Sequence, residues 1–387
     1  MGLPLYIYLP NYYADNFDIT LQSIALILFA TRLIDTIQDP IFGLISDKYF
    51  HLKRKIIFYL SPIMGFSFLL LFHPLDFLNI HLWLIIFLII TFSLFSAIYI
   101  NYQSYSVNFS RDYHVKTKII AYREIAFISG IIFAALIPSV LFKIFDEVTS
   151  FLIIGFIYFI LTIVFSSIFY FFAPKNNYQT KQKPNFKEIF TNKTLRKFAL
   201  VFLFNMLSSV IPAILIMFFV EKILDAKNLV GIFLLLYFTG LMVGTLLWAK
   251  LSKILDNKPK TWLISMSLTL PIFSFCYFLG DGNIIYYGVI CILSGVSFGG
   301  DFALAYSILT DIIQKDKLEN NQTIIFGFCN FIIKISLTLA SSVLIYFIGF
   351  FENNISLQAN FISFSYALLP IFFRIIAGSL LYKNFKK

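Results

Sequence analysis

The feature that most constrains this chain is a series of apolar runs, each about as long as a bilayer is thick. Ile56–Phe72, Phe151–Ala173 and Phe198–Val220 contain no Asp, Glu, Lys or Arg. A helix rises ~1.5 Å per residue, so roughly 20 apolar residues cross the hydrocarbon. Charged residues make up 13% of the chain and hydrophobic ones 59%, against roughly 25% charged in a soluble domain. The expected fold class is therefore an all-α membrane protein with many spans. Its Phe-, Ile- and Lys-rich usage points to an AT-rich bacterial genome.

The pattern predicts about twelve helices, roughly at 1–14, 19–46, 55–73, 80–107, 119–144, 149–173, 197–221, 228–250, 261–280, 283–312, 322–349 and 359–383. The first is too short to span, so we expect it to be truncated and the true start to lie upstream. The start also lacks the basic region and cleavage site of a signal peptide. The longest polar stretch divides the chain into a six-helix bundle over 1–174, a linker over 175–196 and a second six-helix bundle over 197–387. Each half has a basic loop after its second helix, DKYFHLKRK and AKLSKILDNKPK, with Gly43 and Gly244 shortly before. That repetition suggests two halves related by an axis along the membrane normal.

Loop charges alternate. Loops after even-numbered helices hold Lys48, Lys53, Arg54 and Lys55, then Arg111, Lys116 and Lys118, then Lys175, Lys181 and Lys183, and later Lys250, Lys253 and Lys258. Loops after odd-numbered helices hold Asp15, Asp18, Asp76, Asp146, Glu147, Asp281 and Glu352, with Lys222 and Lys227 as basic exceptions. The positive-inside rule places both termini in the cytoplasm of a bacterial inner membrane. The +10 net charge then reads as a topology signal and not as a nucleic-acid surface.

Charges inside the apolar runs point to function, because a charge at mid-membrane costs ~2.5–3.5 kcal/mol on insertion scales. The second helix carries Arg32, Asp35 and Asp39 on one face, at i, i+3 and i+7. Two carboxylates one turn apart in low dielectric share a proton or bind a cation. The alternative is a structural ion pair of Arg32 with one of them. Gln38 and Asn101 could add neutral oxygens to a cation site, with Na+ at Asp35 and Asp39 as the sole metal expected. Lys334, halfway along the eleventh helix, needs an anionic partner, most simply Asp35 or Asp39. Asp301 follows a Gly pair on the tenth helix. Arg123 and Glu124 are close enough to a helix end to snorkel or pair locally, and Arg374 is read as structural.

Cys276, Cys291 and Cys329 lie singly in apolar runs and read as buried hydrophobes. The chain has no GxxxxGK[ST] loop for ATP and no HExxH. We expect no enzyme and no cofactor beyond a coupling ion, H+ or Na+. A membrane-embedded transferase would need acids near an interface and a polar catalytic loop, and here the acids are deep and most loops short.

RLIDTIQDPIFGLISD, NYQSYSVNFSRDYHVKTKIIAYRE, GGDFALAYSILTDIIQKD and FGFCNFIIKISLTLA occur in this order along nearly the whole chain. At these segments the sequence resembles the glycoside–pentoside–hexuronide:cation symporters, the melibiose permease family of the major facilitator superfamily. The first segment is similar to that family's R-x-x-D-x-x-x-D-P-x-x-G motif. The resemblance implies a major facilitator fold and cation-coupled symport of a sugar or glycoside-like solute by alternating access. It implies cation binding at Asp35 and Asp39, with Asn101 where the family has an acid. It implies solute binding at Tyr105, Arg123, Phe302 and Lys334, to which Asp301 is added here. Tyr105 and Phe302 stand where the family has Trp, and Gln314 replaces a common acid. The family's sugar-binding acid of helix one has no counterpart. These departures keep the coupling residues and weaken the case for a galactoside. The alternatives are a carrier of an amphiphile such as a lysolipid, a non-transporting receptor and a decayed relic. The expected partners are a small-molecule substrate and membrane lipid, no nucleic acid, with the chain acting as a monomer.

Overall fold

The structure, a computed structural model, describes residues 9–17, 19–75, 78–105, 112–142, 144–174, 186–351 and 354–385. The loop charges Asp18, Asp76, Arg111, Lys175, Lys181, Lys183 and Glu352 lie outside the described residues, as do residues 1–8 of the expected first helix and 175–185 of the linker.

The described residues are helical, without strands. In chain order the helices are α1 (Leu9–Phe17), α2 (Leu21–Lys48), α3 (Lys53–Leu71), α4 (Ile80–Tyr105), α5 (Tyr113–Leu141) and α6 (Glu147–Phe172). A short helix, Phe186–Thr191, precedes α7 (Lys193–Lys222), α8 (Val230–Leu255), α9 (Lys258–Cys276), α10 (Ile284–Lys315), α11 (Gln322–Phe350) and α12 (Ile355–Phe385). Nine of the described helices are long and apolar enough to cross a membrane.

Several ends fall outside their expected positions because side-chain caps recruit polar residues into the first turn. The fifth helix starts at Tyr113 and not near 119. Asp112 Oδ1 accepts the amides of His114 and Val115, both at 2.8 Å, and these bonds, Val115 foremost, hold its carboxyl below the ordinary range. The ninth helix starts at Lys258 and not near 261, because Asn257 Oδ1 accepts the Lys260 amide at 2.9 Å and Pro259 tolerates the first turn. Asp146 caps α6 by accepting the Thr149 amide at 3.0 Å. The tenth helix contains a π turn, Asp301–Ala305, that no periodicity announced.

The chain divides into two compact units. The first comprises Met1–Phe109, Ser129–Phe186 and Glu319–Phe331, and the second Ser110–Ile128, Lys187–Leu318 and Ile332–Lys387. Helices α5 and α11 contribute to both.

In the first unit, α3 packs on α4 and α6, and α2 packs on α4. Its core holds Tyr12, Tyr13, Phe68, Phe72, Leu88 and Phe151. The α1 phenols satisfy the carbonyls at the end of α3, with Tyr12 donating to Phe72 O at 2.7 Å and Tyr13 to Leu71 O at 2.5 Å. In the second unit, α8 and α10 cross at reciprocal small residues. A Cβ added at Gly244 would lie 2.3 Å from Val296 O, and one at Gly295 would lie 2.2 Å from Tyr237 O. Such close approach replaces the hydrophobic driving force that lipid removes.

Candidate functional site

Helix α2 carries the expected ion-site acids through apolar surroundings. It remains one helix across Pro40. Asp35 and Asp39 are both buried, Asp39 completely. Arg32 donates to Asp35 Oδ2 at 3.1 Å. Asp35 Oδ1 accepts from Gln38 Nε2 at 3.2 Å and from Ser96 Oγ on α4 at 2.9 Å. Gln38 Oε1 in turn accepts from Ser93 Oγ at 2.8 Å. The Arg32 guanidinium also lies 5.0 Å from the Phe92 ring centroid. Donors thus reach both Asp35 oxygens, and Gln38 turns its amide nitrogen, not its oxygen, toward that carboxylate.

Asn101 is placed differently. Its Oδ1 accepts from Ser46 Oγ, and its Nδ2 donates to Ala97 O at 2.8 Å. Ser46 is about two turns along α2 from Asp39, so these partners are the end of α2 and its own helix. Tyr105 is buried, with its hydroxyl donating to Pro174 O at 2.6 Å. Gly327 of α11 packs on Asp39, where an added Cβ would lie 2.5 Å from the Asp39 carbonyl oxygen.

The other expected residues fall in the second unit. Arg123 pairs with Glu124 and lies 5.4 Å from the Tyr306 ring centroid. Phe302 is half-buried within the π turn. Asp301 opens that turn and sits in a buried cluster. It accepts from Trp262 Nε1 at 2.7 Å, Arg374 NH1 at 2.8 Å and Ser209 Oγ at 3.4 Å. Arg374 also donates to Asn205 Oδ1, and its guanidinium lies 4.7 Å from the Phe298 ring centroid. Lys334 is half-buried on α11, its backbone carbonyl accepting from Thr338 Oγ1 at 2.9 Å.

A profile of the MFS/sugar transport protein family matches residues 1–386. The chain belongs to this family. It is a multi-pass membrane transporter of the major facilitator superfamily, with the major facilitator fold. A bacterial homologue of the iron transporter ferroportin, solved in an outward-facing state, superposes with a TM-score of 0.74 at 11% identity, over 98% of this chain and 94% of that one. The E. coli fucose:proton symporter superposes with a TM-score of 0.60 at 12% identity, over 97% of this chain and 98% of that one. At such identity these likenesses concern the fold alone. No curated protein sequence matches this member of the family.

Two further charged clusters of the transporter join residues far apart in sequence. Asp47 and Lys53 looked like loop charges, yet both are buried. The Asp47 carboxylate accepts the amides of Thr323 at 3.0 Å and Ile324 at 2.9 Å, and Lys53 Nζ at 3.1 Å. It caps the start of α11 from a distant helix, where an anion is favoured. Asp311 receives Lys116 and Lys258, and Gln314 Oε1 accepts from Lys116 at 2.8 Å. The signal available was GLISD followed by basic residues, an acid at a helix end with small residues before it.

One hydrolase-like string, Gly295-Val296-Ser297-Phe298-Gly299, does occur. It lies inside α10 and not on a strand-to-helix turn. Ser297 Oγ donates to Ser265 O at 2.7 Å and lies 2.7 Å from Thr269 Oγ1. Among the described residues no group of three or more His, Cys, Asp or Glu side chains is placed to hold a metal ion.

Proposed function

We propose that this transporter couples entry of a small organic solute, sugar or glycoside-like, to a cation gradient, by alternating access in a bacterial inner membrane. Both termini then face the cytoplasm. The observation that carries the reading is a pair of buried acids one turn apart on α2, Asp35 and Asp39, with Arg32, Gln38 and Ser96 donating to Asp35.

The donors around Asp35 favour the proton as coupling ion. A hard cation such as Na+ is held by several oxygens at once, and donors already engage both Asp35 oxygens. Asn101 supplies an amide where the resembling family has an acid, and its oxygen accepts from Ser46. A proton needs one carboxylate in a low-dielectric site. In this reading Asp39 takes up the proton, Lys334 supplies a cation that keeps the empty protein near neutrality, and Arg123, Tyr105 and Phe302 serve the solute. One proton entering down ~100 mV supplies ~2.3 kcal/mol, enough for roughly fifty-fold accumulation.

The test is uptake into proteoliposomes with a labelled panel of monosaccharides, glycosides and a lysophospholipid. Proton and Na+ gradients are imposed separately. Accumulation of a sugar or glycoside under the proton gradient, abolished by an uncoupler, supports the reading. Na+-stimulated uptake at fixed pH that ignores the uncoupler overturns the choice of ion. Accumulation of the lysophospholipid alone overturns the solute class.

A further inference from the structure

Helices α9 and α12 pack side by side in the second unit and leave a groove of about 330 Å³ between them. One wall is Leu263, Met266 and Leu270, at i, i+3 and i+7 on α9. The other is Gly378, Ser379 and Tyr382 on α12. A Cβ at Gly378 would lie 3.3 Å from Leu263 Cδ1, so the missing side chain keeps the two walls close. Ile264, Leu268, Phe372 and Ile375 flank the groove as exposed apolar residues. It therefore opens onto hydrocarbon.

The two ends differ. The inner end is Arg374, whose guanidinium is committed to Asp301 at 2.8 Å. Toward the other end, beyond the lining residues on each helix, stand Lys260 on α9 and Lys383 on α12, both exposed. Lys260 precedes Leu263 by one turn, and Lys383 follows Ser379 by one turn, so each lysine shares the face of its groove wall. Neither makes an ion pair with another described residue, whereas Lys258 nearby is committed to Asp311. Tyr382, a half-exposed lining residue next to Lys383 in the chain, is the aromatic type that marks the headgroup level.

The dimensions fit one leaflet. From Lys260 to Leu270 the helix runs ~15 Å, and from Lys383 to Arg374 ~13.5 Å, at ~1.5 Å per residue. That is about half of a hydrocarbon core roughly 30 Å thick.

We propose that this groove binds one diacyl phospholipid with an anionic headgroup. An acyl chain lies along Leu263, Met266 and Leu270, and the phosphate meets Lys260 and Lys383. A zwitterionic headgroup brings its own ammonium to the same two lysines and binds less well. None of the groove's lining residues is itself assigned to solute or ion; the groove meets that set only at its inner end, where Arg374 bonds Asp301.

Native mass spectrometry of the full chain, titrated with palmitoyl-oleoyl phosphatidylglycerol or the matching phosphatidylethanolamine, tests it. Each basic residue near a headgroup is worth about 1 kcal/mol. Two give the phosphatidylglycerol about thirtyfold tighter retention, at tenfold per 1.4 kcal/mol. Lys260→Gln with Lys383→Gln should remove most of that preference while leaving the number of bound lipids unchanged. Ser379→Phe, an exposed position in the groove, should lower retention of both lipids by one molecule. Equal retention of the two lipids by the unmodified chain overturns the proposal. So does a preference that survives the double substitution, or a full complement of bound lipid on Ser379→Phe.

Discussion

Arg32 donates to Asp35 Oδ2 at 3.1 Å, one turn before Asp39 on the same face of α2. This pair sets a cation against the Asp35 carboxylate inside the apolar stretch of α2. Removing one partner alone leaves a charge in apolar surroundings. Asp35→Leu should cost about 3 kcal/mol, the low end for a broken buried pair, because the Arg32 side chain is 29% exposed. Arg32→Met combined with Asp35→Leu should cost less than Asp35→Leu alone. Denaturation of the purified variants in detergent gives both values, and additive losses would argue against a coupled pair.

Close helix crossings make a second, sharper contrast. At Gly244 an added Cβ meets the Val296 backbone carbonyl at 2.3 Å, whereas at Gly130, exposed on α5, it meets nothing within 4 Å. Gly244→Ala should destabilise by about 2–3 kcal/mol through overpacking. Gly130→Ala should be neutral or stabilise by up to about 1 kcal/mol through helix propensity. Thermal midpoints of the two variants, measured side by side, should move in opposite directions or differ by several degrees.

The cap of α6 predicts a pH dependence of known sign. Asp146 is held below the ordinary carboxylate range by the Thr149 hydroxyl and amide. Its folded value is depressed, so its contribution is present above the unfolded value of about 3.9 and is lost as pH falls through the folded value. Amide exchange at Thr149, corrected for intrinsic rate, should lose protection as pH drops below about 4. Asp146→Asn, which caps without a titrating proton, should keep whatever protection it has over that range.

Orientation rests on loop charge and is checked directly. With the native cysteines replaced, a cysteine at position 146 should react with an impermeant reagent on intact cells. One at position 183, outside the described residues, should react only after the cells are opened. The reverse pattern would invert the topology.

Much of the fold was legible because apolar length is a coarse, additive signal that tolerates errors at the ends. The helices at Ile80–Tyr105 and Glu147–Phe172 lie within two residues of their expected bounds. Helix starts built on polar caps were not legible. Lys116 and Lys258 carry the charge that marks a membrane edge in sequence, yet they lie inside helices that start at the Asp112 and Asn257 caps. The candidate site was legible as a set of residue types and not as a set of contacts. Asp35, Gln38 and Asp39 announced themselves by depth. That Gln38 would present its nitrogen to Asp35, or that Asn101 would bond Ser46, depends on packing between α2 and α4. Asp47 was missed because a carboxylate at a helix end has an ordinary explanation, and its partners at Thr323 and Ile324 are remote in sequence.

The central claim is that Asp39 carries the coupling ion. It is tested by Asp39→Asn in proteoliposomes, using the solute that the uptake panel identifies. Gradient-driven accumulation and solute counterflow are measured on the same preparation. Counterflow needs the solute site and reorientation but no net movement of the ion. Accumulation is expected to fall to the level of empty liposomes while counterflow persists. Accumulation by Asp39→Asn at the level of the unmodified chain would contradict it.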